Sequence, residues 1–136
     1  MRIYLCASKS FYDRVPEVRA QLEKLGHVVT APNGYDAPAA ETNYQAMTPQ
    51  EYADWKTGMI KHDGEVVKAN DAVLVLNFEK NGQQNYIGGA AFLEMFKAWD
   101  LGKKIFLLNP IPENMLRDEI IGLQPVVINH NLSLVI

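Results

Sequence analysis

Two acidic residues stand where acidic residues are uncommon. Glu94 is the only charged residue between Lys80 and Lys97, and its neighbours three and four positions away are Ala90, Ala91, Lys97 and Ala98. At helical spacing these share one face, so Glu94 projects from a largely apolar surface. Asp63 is flanked at the same spacing by Met59, Ile60, Val66 and Val67, and so interrupts the apolar stripe of its own helix. A charge on such a stripe is costly unless it is paired or functional. The structural readings are a glutamate favoured by the dipole of its helix start and an aspartate ion-paired to Arg14 or Lys61. The functional reading is a carboxylate held ready as nucleophile or base, with a second carboxylate beside it.

Other residue patterns that carry chemistry are sparse. Gly88-Gly89 at a helix start would let a ligand approach backbone amides, but no GxGxxG fingerprint or P-loop lysine accompanies it. His27, His62 and His130 are scattered and read as structural, and no His/Cys cluster suggests a metal; no cofactor is expected. The single cysteine, Cys6, lies in an apolar strand pattern and reads as a buried thiol. Tyr4, Phe11, Tyr12, Tyr35, Tyr44 and Tyr86 fall in or near the predicted ligand-edge loops, where aromatic rings can stack on a base. Polar side chains of Asn81 to Asn85 could read a base edge or belong to a solvated loop.

These residues need elements to hold them. Arg2–Ala7, His27–Ala31, Asp71–Asn77, Lys103–Leu108 and Val126–Ile128 read as strands, the first apolar on both faces as in a buried parallel strand. Between them lie a helix entered at Ser10 and stopped by Gly26, and one from a capping box at Thr48-Pro49-Gln50-Glu51 to about Ala69. A third helix runs from about Gly89 to Leu101 and a short one over Glu113–Ile121. Pro32–Met47 has no periodicity and reads as a long functional loop. The alternation predicts one α/β domain over residues 1–136: a doubly wound, mainly parallel five-stranded sheet, Rossmann-like or flavodoxin-like, flanked by helices. Ligands of such sheets bind beyond the strand carboxyl ends, here Ala7-Ser8, Asn77 and Asn109. Asp63 precedes its strand by eight residues, about 12 Å along a helix at ~1.5 Å per residue, which carries it toward that edge and toward Glu94.

Composition limits the partners. The chain carries a net charge of −3 with both signs well mixed, so no basic stripe invites a nucleic acid polymer. Its longest apolar runs are strand-sized, which argues against a membrane span, and the N-terminus enters a strand directly, leaving no room for a signal peptide. A cytoplasmic protein acting on a small molecule is expected.

Taken together, Tyr4-Leu5-Cys6-Ala7-Ser8, Asp63 with Asp71, Gly88 to Glu94 and Gly102 to Leu108 resemble the nucleoside 2-deoxyribosyltransferase family and its relatives, the 2-deoxynucleoside 5-phosphate N-hydrolases. The resemblance reaches to about Gly122. It implies cleavage or transfer of the N-glycosidic bond of a 2-deoxynucleoside through a covalent deoxyribosyl-glutamate. Glu94 would be the nucleophile, Asp63 its acid–base or orienting partner, and Tyr4 a neighbour of sugar or nucleophile. Ser8, Phe11, Asn85, Gly88, Gly89, Asn109 and Asp118 would contact substrate, which is a nucleoside together with a free base. It also implies a homodimer or higher homo-oligomer, with Asn109 or Asp118 reaching into a partner's site. Three positions depart from the family pattern. Phe96 stands where glycine is common, and Gly88 where the transferases have aspartate and the hydrolases a phosphate-holding serine. Asp118 replaces another such serine, which favours an unphosphorylated substrate.

Two further readings stay open. One is a nucleoside- or nucleotide-binding domain without turnover. The other is a glutamate N-glycosidase of different specificity, either a 2-deoxynucleoside 5-phosphate N-hydrolase or an enzyme acting on a ribosyl nucleotide or dinucleotide. The site is expected to be a surface cleft, so that Glu94→Ala leaves the fold intact.

Overall fold

A computed structural model describes residues 1–36 and 46–136; the central part of the expected Pro32–Met47 loop, Tyr44 included, lies outside the described residues. Strands β1 (Arg2–Cys6), β2 (Val28–Thr30), β3 (Ala72–Val75), β4 (Lys104–Leu107) and β5 (Val126–Val127) form an all-parallel sheet in the order β2-β1-β3-β4-β5. This is the flavodoxin-like order, with its topological switch between β1 and β3. The helices are α1 (Val15–Lys24), α2 (Pro49–Ala69), α3 (Gly89–Asp100) and α4 (Arg117–Gly122).

The three central strands β1, β3 and β4 are buried on both faces along most of their length, and alternation divides their residues between two cores. Ile3, Leu5, Leu74, Phe106 and Leu108 pack with Val15, Val18 and Leu22 of α1 on one face. Tyr4, Cys6, Val73, Val75 and Leu107 turn to the other, against Val67 of α2, Ala91, Met95 and Ala98 of α3 and Ile120 of α4. Glu94 therefore belongs to the second face, in the layer that β1 supplies with Tyr4 and Cys6.

Local chemistry fixes most ends. The Thr48 hydroxyl accepts the Glu51 amide at 3.1 Å, the cap that starts α2, and the helix continues past Gly58 and Gly64 to Ala69. Two boundaries differ from expectation. The segment after β1 is a 3-10 helix over Lys9–Arg14, and the α-helix begins only at Val15 with Pro16 in its first turn. The last helix is shorter than expected and starts at Arg117, because Pro110-Ile111-Pro112 and the Asn114 side-chain bond to the Leu116 amide (2.8 Å) build a turn first. Asp71 lies at the opposite end of the sheet from the strand carboxyl ends and accepts the Arg2 amide at 2.7 Å. That hydrogen bond holds its carboxyl below the usual range and gives Asp71 a structural role. Among the described residues no helix is long and apolar enough to cross a membrane.

Candidate active site

A cavity of about 1240 Å³ opens at the switch point, between the end of β1 and the helix pair α2 and α3. Ala7 and Ser8 close one end, Pro32 and Asn33 enter from the segment after β2, and Asp63 comes from α2. The first turns of α3, from Gly88 to Glu94, form the facing wall. Two sequence features produce this arrangement. Tyr4 and Cys6 are two residues apart on a strand and so point to the same face. With Gly88 at its N-cap position, α3 carries Glu94 in its second turn, where the carboxyl meets the Tyr4 hydroxyl and the Cys6 thiol.

Glu94 lies at the floor of the cavity and is only 6% exposed. Its Oε2 atom makes no hydrogen bond among the described residues. Burial pushes its carboxyl up to about 8, against hydrogen bonding from the Tyr4 hydroxyl and the Cys6 thiol, which favours the ionised form, while the charge of Asp63 adds to the rise. Burial likewise raises Tyr4 and Cys6, reinforced by the charge of Glu94. Both therefore remain proton donors toward Glu94 throughout the physiological range. A carboxyl with one unsatisfied oxygen, facing a cavity and poised near neutrality, has the attributes of a nucleophile or general base. The expectation of a surface cleft needs correction on this point: the Glu94 side chain is part of the interior, and an alanine there would leave a hole.

Asp63 is held by a residue that the sequence did not single out. The Asn33 side-chain amide donates to Asp63 Oδ1 at 2.6 Å, and the Asn33 main-chain amide donates to the Tyr4 hydroxyl at 3.3 Å. The guanidinium of Arg14, one of the ion-pair partners expected for Asp63, lies 4.1 Å over the Phe78 ring. The only sequence sign of Asn33 is the Asn33-Gly34 pair after a strand, which reads simply as a turn.

Of the expected site residues, Tyr4, Ser8, Asp63, Gly88, Gly89 and Glu94 line this one cavity. The Ser8 hydroxyl accepts from the Lys80 ammonium at 3.2 Å. Phe11, Asn85, Asn109 and Asp118 do not line it. Phe11 is buried, edge-on to Phe78 and Tyr86. Asn85 takes a left-handed turn conformation in the polar loop. Asn109 spends its polar groups on Asn77 and His130, within 3.1 Å. Asp118 is 89% exposed beside Arg117 and does not line this chain's own cavity. Gly88 has a local reason: a Cβ there would stand 3.2 Å from the Tyr86 hydroxyl. Phe96 stands half exposed at the open rim and stacks on Trp99 with centroids 5.9 Å apart.

No family model and no curated protein matches the sequence. Among solved structures, the fold is shared with the Clostridium botulinum CMP N-glycosidase BcmB, with a TM-score of 0.55 at 20% identity over 99% of this chain and 97% of that chain.

Proposed function

We propose that the protein cleaves the N-glycosidic bond of a nucleoside or nucleotide, with Glu94 as the nucleophile. The observation that carries this reading is the Glu94 carboxyl itself: buried, short of one hydrogen bond, raised to about 8 and facing a cavity. In the proposed first step the bond from the anomeric carbon to the base nitrogen breaks as a Glu94 oxygen bonds to that carbon. The base keeps the bonding pair and takes up a proton, which Asp63 delivers or orients. In the second step water, or a second base, attacks the same carbon and releases Glu94, with net retention. A 2-deoxyribosyl substrate fits the resemblance read in the sequence, because the lack of a 2-hydroxyl makes the oxocarbenium-like transition state easier to reach. A ribosyl 5-phosphate is the second reading, favoured by the shared fold with a CMP N-glycosidase.

The test is incubation with ribo- and 2-deoxynucleosides and their 5-phosphates, with and without a free acceptor base, following bases by chromatography. Base release supports a hydrolase, and exchange with the acceptor supports a transferase. Nucleoside binding by calorimetry without either reaction leaves a binding domain and ends the catalytic reading. In the same assay Asp63→Asn should lower kcat by about 10²-fold, the typical contribution of one positioned acid–base group. An unchanged kcat would remove Asp63 from the mechanism.

A further inference from the structure

Asn33 touches both halves of the candidate machinery, and its own conformation is fixed. Pro32, Asn33, Gly34 and Tyr35 form a turn closed by the Tyr35 amide on the Pro32 carbonyl at 3.0 Å, with Gly34 at φ 84°. A positive φ at the third turn position defines a type II turn and calls for glycine there, leaving Asn33 at the second. The Asn33 carbonyl accepts the Tyr12 hydroxyl at 2.9 Å, which ties the turn to the 3-10 helix behind the cavity. From this anchored position its main-chain amide reaches Tyr4 and its side-chain amide reaches Asp63.

We infer that Asn33 is a positioning residue for the reaction, setting Asp63 through its side chain and Tyr4 through its main chain, so that the acid–base group and the partner of the nucleophile are held in register by one turn. The inference rests on the N-glycosidase reading above. Its chemical content is directional. An amide NH₂ can only donate, so it orients Asp63 Oδ1 as an acceptor. The two carboxylates lie close enough for the charge of Asp63 to act on Glu94, and a fixed rotamer of Asp63 keeps that separation constant. A displacement of about 1 Å at such a group costs up to ~10²-fold in rate.

Two variants separate this role from plain structural support. Asn33→Asp keeps the shape and both main-chain bonds but faces Asp63 with an acceptor in place of a donor. Asn33→Ala removes the side-chain contact without adding charge. The expected result at pH 8 is a kcat lowered by about 30-fold in Asn33→Asp and about 10-fold in Asn33→Ala, with KM changed less than about threefold. The loss in Asn33→Asp should shrink as pH falls, because a proton shared by the paired carboxyls restores a donor to Asp63. In an Asp63→Asn background, Asn33→Ala should change kcat by less than about twofold, since a residue acting through Asp63 has nothing further to lose there. Wild-type kcat in both single variants, or an equal loss with and without Asp63, overturns the role while leaving the N-glycosidase reading in place. Absence of base release by the wild-type protein from every substrate overturns both.

Discussion

Glu94→Gln is expected to lower kcat for base release by at least ~10³-fold while leaving nucleoside affinity within a few-fold of wild type. Glutamine keeps the volume and one acceptor oxygen, so the floor of the cavity stays filled; this matters because the side chain is 6% exposed and packed in the β1–α3 layer. What it lacks is an oxygen able to form an ester to the anomeric carbon. Single-turnover measurement of base release, with calorimetry on the same preparation, separates the two effects. A kcat within tenfold of wild type would exclude Glu94 as the nucleophile and leave it, at most, a minor electrostatic contribution. In the wild-type protein kcat/KM should rise with pH through a half-maximum near 8 and level off above it, since attack needs the ionised carboxylate and burial keeps Glu94 protonated below that value. A slow substrate quenched in acid should also leave protein heavier by one glycosyl group, an adduct absent from Glu94→Gln.

The fold was readable because the central strands are short and apolar on both faces, and strands alternate with helices along the chain. Tyr4-Leu5-Cys6 and Ala72 to Val75 leave no polar face to misassign, and the Thr48 cap announces α2. Glu94 and Asp63 were readable for the opposite reason: each breaks an otherwise apolar helical face, and such a break carries a cost that packing alone does not explain. Tyr4, Ser8, Gly88 and Gly89 also fall where the sequence put them, on the cavity wall; the remainder of the site was hidden by the geometry of the third layer. The cavity lies between α2 and α3 at the end of β1, whereas the ends of β3 and β4 are joined to each other through Asn77 and Asn109. Strand ends alone do not reveal which of them are tied together. Phe11 was drawn from its place after β1, but Phe78 and Tyr86 take its ring into their own packing. Asn33 was missed because its side chain reaches Asp63 across 30 positions of sequence, a contact with no periodic signature.

The same glutamine substitution should make the protein more stable in alkali, and this prediction does not depend on any substrate. In the unfolded chain Glu94 titrates near 4.5, and in the folded protein near 8. Between these values the native state binds a proton that the unfolded state has released, so stability attributable to Glu94 is complete below about 4.5. It is lost progressively as pH rises through about 8 and is constant above that. At ~1.4 kcal/mol per pH unit this interval amounts to on the order of 5 kcal/mol, an upper bound because local opening hydrates the carboxylate before global unfolding. Glutamine has no proton to release. The Tm difference between Glu94→Gln and wild type should therefore move in favour of the variant by about 10 °C between pH 5 and pH 8. It is this change, rather than the difference at either pH, that isolates the titration, because any hydrogen-bond mismatch of the amide with Tyr4 or Cys6 is the same at both. The window stops at pH 8 because the Cys6 thiol, raised by burial and further by the charge of Glu94, begins to titrate in the unfolded chain above it, and the glutamine variant lacks that second contribution. Parallel melting curves across that range would mean that the Glu94 carboxylate is already ionised at little cost in the folded protein. The interior setting argued for it would then have to include a compensating donor.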